Sequence, residues 1–185
     1  NEIKRNEYIK ASTKITHNNV DAIKITQLIG NVIAYVIKNQ KRPTEEEYKD
    51  LLKCSNCLTK EYINIFLNNL NTDLNSFLEL IKSSDKVTGY IMHSSIFILY
   101  VLHNSQNYKE AFEMIIKTSG DTDTIGAVIG SLFSILDEDI LKDKKLNNIL
   151  LTQNKNILNY TYLNTLIKNL VSIPIIFIHG IIRLF

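Results

Sequence analysis

Charge of either sign is nearly balanced in these 185 residues. Twenty-one Lys and Arg stand against 19 Asp and Glu, leaving a formal +2. That balance removes the electrostatic case for nucleic acid as a partner, and the short pairs Lys41-Arg42 and Lys144-Lys145 read as solvated surface. Cysteine is scarce. Cys54 and Cys57 form a lone Cys-x-x-Cys with no second pair beyond it, and His17, His93, His103 and His179 are scattered. A structural zinc site needs four ligands, and a redox pair would want a βαβ setting. Two reduced thiols on a short helix are expected instead. With no disulfide framework, the expected location is intracellular and cytoplasmic. A long apolar run is also missing. The tail from Val171 to Phe185 falls short of the roughly 20 residues a bilayer span needs, and Pro174, His179, Gly180 and Arg183 interrupt it. A packed terminal helix, without a transmembrane span, is expected there. Asn1 to Lys14 has no apolar centre of the kind a signal peptide requires.

Apolar and polar residues nowhere alternate in a sustained run, so no sheet is expected. Helical periodicity is plentiful. Val20 to Lys38 is apolar on nearly every turn, with Asp21 near its start to complement the helix dipole. Pro43 resets the chain, and Thr44 with Glu47 forms a capping-box pattern opening a short helix to about Lys53. Thr59 to Leu70 and Thr72 to Ile81 read as further helices, and Ser83 to Gly89 as a polar turn. Tyr90 to Leu102 is almost wholly apolar and too long for a typical buried strand, which favours a helix. Tyr108 to Thr118 is amphipathic. The content of 45% hydrophobic and 22% charged residues suits one globular domain. The expectation is an all-α domain over residues 1–185, with residues 171–185 as an apolar tail.

The densest chemistry lies in Gly120-Asp121-Thr122-Asp123-Thr124-Ile125-Gly126, a tight connection between the Tyr108 helix and a buried helix from Ile125 to Leu136. Two carboxylates two positions apart, interleaved with hydroxyls, are suited to a divalent cation. Ile125 and Leu132 stand where an EF-hand loop needs its fifth-position oxygen and its bidentate acid, which excludes that motif. An aspartate-nucleophile phosphatase would place its Asp-x-Asp at the end of a buried parallel strand, whereas a helix precedes the cluster here. From Ile125 the small residues Gly126, Ala127, Gly130 and Ser131 recur at helical spacing. Glycine costs up to about 1 kcal/mol there relative to alanine, so close approach of a neighbouring helix or a ligand is the expected compensation.

The run from Gly120 to Leu132 closely resembles the C-terminal signature of the ADP-ribosylglycohydrolase family. Thr88-Gly89-Tyr90-Ile91-Met92-His93-Ser94-Ser95, followed by an apolar helix and Tyr108-Lys109-Glu110-Ala111-Phe112, is similar to the segment that precedes that signature. Ala11-Ser12, Ile15-Thr16-His17 and Asp21-Ala22 resemble the family's Thr-His segment. Three matches in order span residues 11 to about 136. Two departures are visible: Ser119 replaces one of two usual glycines, and Asn18-Asn19 stand where the family often has proline.

The resemblance implies an all-α fold and a pair of Mg²⁺ ions. It makes Asp121, Asp123 and Thr124 metal ligands, an oxygen-only set that suits Mg²⁺. Thr16, His17, Gly89 and Tyr90 would border the substrate, an ADP-ribosylated protein or an ADP-ribose-type small molecule. The implied reaction is hydrolysis of the glycosidic bond that links ADP-ribose to a side chain or related conjugate. Family members also carry a Thr-Asp-Asp ligand set, a mobile glutamate and a Gly-rich phosphate-binding segment ahead of the part matched here. No Thr-Asp-Asp occurs in this sequence. These residues are therefore expected to supply the C-terminal half of a two-metal site, with the N-terminal helices and the catalytic acid upstream of Asn1. A non-catalytic ADP-ribose-binding pseudoenzyme or a structural relative is the alternative.

Overall fold

Asparagine, threonine and aspartate mark where the helices begin. The computed structural model describes residues 1–54, 57–84 and 86–137. Among them it shows eight helices and no strand: α1 (Glu2–Thr16), α2 (Val20–Asn39), α3 (Glu45–Leu51), α4 (Cys57–Asn68), α5 (Leu74–Leu80), α6 (Ile91–Asn104), α7 (Tyr108–Thr118) and α8 (Thr122–Leu136). The fold is all-α, as expected. Asn1, Asn19, Asp73 and Asn107 each accept a backbone N–H from the first turn of the helix they open, satisfying donors with no intrahelical partner. Thr44 and Glu47 close the reciprocal capping box at the start of α3. The apolar tail, Lys144-Lys145 and His179 lie outside the described residues.

The buried helix α6 organises the rest. Met92 and every residue from Ser94 to Leu102 are buried, so its neighbours surround it. Phe77 of α5 stacks on Tyr100 with ring centroids 4.1 Å apart, and the Tyr100 hydroxyl donates to the Thr72 carbonyl at 2.8 Å. Helix α2 is long and apolar enough to cross a bilayer by length and composition. However, Ala22, Ile25, Leu28, Ile29, Val32 and Val36 are buried in the protein core, so its apolarity is that of a core helix.

Contacts at both ends show that α2, α4, α6 and α8 run parallel. At one end Thr59 of α4 donates to Asp21 of α2 at 3.3 Å. There too, Tyr62 of α4 meets His93 of α6 at 3.1 Å, and Ser94 of α6 lies 3.5 Å from Asp121 at the head of α8. At the other end Phe66 of α4 lies edge-on to His103 of α6, centroids 6.5 Å apart. Arg42, just past α2, sits 5.2 Å from the Phe133 ring of α8. Helix α7 returns antiparallel: its first backbone N–H, on Tyr108, donates to Asp137 beyond the end of α8 at 3.3 Å.

Three details depart from the sequence reading. Helix α1 carries no recognisable apolar stripe and none of its residues is buried. It is held to α2 by polar contacts instead. Arg5 Nη2 donates to Asn31 Oδ1, Gln27 Nε2 donates to the Asn6 carbonyl at 2.9 Å, and Ile9 covers Gly30, where a Cβ would approach its Cδ1 to 2.4 Å. The two cysteines do not share a helix. Leu52 caps the end of α3, Cys54 lies just beyond it as a half-buried free thiol, and Cys57 opens α4. The small residues of α8 divide between two faces. Phe112 of α7 lies against Gly126 and Gly130, 3.6 and 3.5 Å from where their Cβ atoms would be, whereas Ala127 and Ser131 are exposed.

Truncating Phe97, fully buried in α6, to alanine is expected to cost about 3–5 kcal/mol of unfolding free energy in denaturant titration. A second expectation concerns acid. Hydrogen bonds from the Thr44 backbone, the Tyr35 hydroxyl and Lys41 hold the Glu47 carboxyl down from 4.5 to about 2. A depressed carboxylate stabilises the fold above its unfolded pKa, and that contribution fades as pH falls through the folded one. The stabilities of wild type and Glu47→Gln should therefore differ above pH 4.5 and converge towards pH 2.

Candidate functional site

Four helix N-termini meet at one end of the bundle; Gly89, Tyr90, Asp121, Asp123 and Thr124 lie at two of them, whereas Thr16 and His17 lie at the C-terminal end of α1. Thr16 and His17 close α1 and lead into α2. Both are exposed, and His17 Nδ1 pairs with Thr16 Oγ1 at 2.9 Å. Asn19, two residues on, accepts the Asp21 and Ala22 N–H groups at 2.7 and 3.2 Å. A side-chain cap at this position does what a proline, with its fixed φ, would do otherwise: it fixes the turn before α2.

Gly89 and Tyr90 lie in the strap of residues 86–90 that leads into α6. Val87 is fully buried and pairs with Gly120 in an isolated parallel bridge. Its carbonyl accepts the Asp121 N–H at 2.9 Å. Gly120 has φ +90°, and a Cβ there would fall 2.0 Å from the Val87 oxygen. Only glycine fits this crossing. Next to it Ser119 holds φ +56° and ψ −176°, a region costly for any residue with a side chain. The usual glycine that Ser119 replaces thus has a conformational explanation.

The structure moves the start of the last helix. The acidic run is not a loop between helices: α8 begins at Thr122, so Asp121 is the N-cap and Asp123 and Thr124 lie in the first turn. Capping groups and helix dipole favour carboxylates there, which explains why the helix starts three residues before the apolar pattern does. Asp121 nevertheless makes no side-chain cap hydrogen bond, unlike Asn1, Asn19, Thr44, Asp73 and Asn107. Its Oδ2 instead faces Ser94 Oγ at 3.5 Å and lies 3.7 Å from where a Cβ on Gly89 would be. Asp123 and Thr124 are exposed. Among the described residues no Lys or Arg is ion-paired with Asp121 or Asp123.

The donor chemistry therefore fits a hard cation. Two carboxylates and a hydroxyl present oxygen only, and among the described residues neither carboxylate is ion-paired with a basic side chain. Among the described residues no group of three or more His, Cys, Asp or Glu side chains is placed to hold a metal, so the ligand role expected of Asp121, Asp123 and Thr124 has no such cluster around it.

Four further residues at this end were not named as site residues from sequence. Asp21 accepts from the buried Thr59 hydroxyl. Ser94 donates to the Thr88 carbonyl at 2.9 Å and to the Tyr90 carbonyl at 3.3 Å. His93 and Tyr62 bond to each other and pack around Tyr90, which is 44% exposed. Burial and the charge of Lys82 lower the His93 pKa, favouring the neutral ring. Ser94 and His93 stand inside the Thr88–Ser95 segment, so their place in the motif was the available signal. Tyr62 carried none.

The crossing predicts opposite outcomes for neighbouring substitutions. Ser119→Gly should stabilise the chain by about 1 kcal/mol through relief of backbone strain. Gly120→Ala should cost roughly 3 kcal/mol or more, because the clash is with backbone. Thermal or denaturant unfolding of the two variants measures both.

A family model described as ADP-ribosylglycohydrolase matches residues 4–141. No curated protein and no solved structure matches the chain.

Proposed function

Because the chain belongs to the ADP-ribosylglycohydrolase family, we propose that it serves Mg²⁺-dependent hydrolysis of the glycosidic bond between ADP-ribose and a protein side chain or related conjugate. The observation that carries this reading is the uncapped aspartate. Asp121 occupies an N-cap yet leaves its carboxylate out of the cap, since the Val87 carbonyl fixes its backbone instead. A structural aspartate at that position would be expected to cap its helix.

In this reading Asp121, Asp123 and Thr124 would be the protein's ligands to Mg²⁺, with Asp123 the candidate to serve both ions of a complete site. Bound there, Mg²⁺ supplies Lewis acidity and a template for the distal ribose and a water. The residues of this chain orient and bind. The paired His17 and Thr16 side chains offer hydrogen bonds to a ribose or phosphate oxygen, and the exposed Tyr90 ring offers an apolar border. Cleavage at the anomeric carbon would pass through an oxocarbenium-like state, which anionic ligands around the sugar favour electrostatically.

Titration of the chain with Mg²⁺ and with ADP-ribose tests the assignment. Asp123→Asn should weaken Mg²⁺ binding by roughly tenfold or more while leaving the unfolding temperature near that of wild type. Unchanged Mg²⁺ affinity in that variant would sink the ligand role. Thermal stabilisation by ADP-ribose without release of ADP-ribose from a modified arginine or serine peptide would favour a binding role over an enzymatic one.

A further inference from the structure

His93 ties three segments together at this end of the bundle. Its Nδ1 meets Ser83 Oγ at 3.0 Å and Thr88 Oγ1 at 3.4 Å, and its Nε2 meets the Tyr62 hydroxyl at 3.1 Å. Thr88 in turn accepts the Tyr90 N–H through its hydroxyl at 3.2 Å and the Ser94 hydroxyl through its carbonyl at 2.9 Å. The next residue back is Val87, whose carbonyl holds the Asp121 N–H. The His93 ring also supports the Tyr90 ring edge-on at 4.9 Å. A neutral imidazole donates from one nitrogen and accepts at the other, and hydroxyl partners can match either role. All three contacts are therefore satisfied together without a charge.

We propose that His93 is a positioning residue for the cation site: by anchoring Ser83, Thr88 and Tyr62 it fixes the strap that holds Asp121, without itself touching metal or substrate. This rests on the reading of Asp121 as a Mg²⁺ ligand. The strap meets Asp121 through a single backbone hydrogen bond and the Gly120 crossing, so a shift of Thr88 is transmitted directly to the carboxylate. Residues that orient a ligand from behind commonly change metal affinity by about 10–100-fold when removed.

The test is Mg²⁺ titration of the chain with paired measurement of thermal stability. His93→Ala should weaken Mg²⁺ binding about tenfold, and His93→Gln, which keeps a donor and an acceptor, should recover most of that loss. Leu102→Ala, at the far end of α6, should lower stability and leave Mg²⁺ affinity unchanged, which separates positioning from general destabilisation. Should His93→Ala fail to fold, Tyr62→Phe and Ser83→Ala remove its partners singly, each with an expected loss of roughly two- to fivefold. Wild-type affinity in His93→Ala, or in both partner variants, overturns the inference. If Asp121→Asn abolishes binding in the same series, the metal reading survives alone. A wild-type chain that binds no Mg²⁺ overturns both.

Discussion

The burial of α6 from Ser94 to Leu102 is the constraint on which the other elements depend. A helix with no solvent face cannot rotate or slide without exposing apolar surface, at roughly 25 cal/mol per Å². Its register is therefore fixed at both ends. At its start that register places Tyr90, His93 and Ser94 beside α4 and the head of α8; at its end it places His103 against Tyr48 and Phe66. In the first turn of α6 His93 and Ser94 are hydrogen-bonded, and the later turns are mainly apolar packing.

Parallel alignment around α6 has an electrostatic consequence. The positive dipole ends of α2, α4, α6 and α8 face the same way, and Asp21, Asp121 and Asp123 lie in or beside their first turns. Each carboxylate gains roughly 0.3–1 kcal/mol from its helix terminus.

The chain's organisation was legible wherever one residue type forces one geometry. The Thr44–Glu47 box and the apolar α6 are local signals, and the structure agrees with both; the Gly-Asp-Thr-Asp-Thr run was equally local, but it enters α8 instead of forming a loop before it. What escaped was non-local. Helix α1 has no apolar stripe and meets α2 through Asn31 and Gln27, and no periodicity records such pairings. The start of α8 was placed late because the apolar pattern begins at Ile125, whereas the helix already begins at Thr122, with the Asp121 backbone held by the Val87 carbonyl. Tyr62 could not be found from its own segment, since its role comes from packing beside His93.

The uncapped Asp121 joins these levels. An N-cap aspartate normally commits its side chain to its own helix, worth about 1 kcal/mol. Here the Gly120–Val87 crossing anchors the residue from the backbone side, and it does so through a left-handed glycine and a strained Ser119. The chain forgoes the cap and tolerates strain at the same point. Two local costs at adjacent residues are most simply explained by a role for the carboxylate outside its own helix. The direction in which it is freed, towards Ser94 and Gly89, is also where the His93-anchored strap ends.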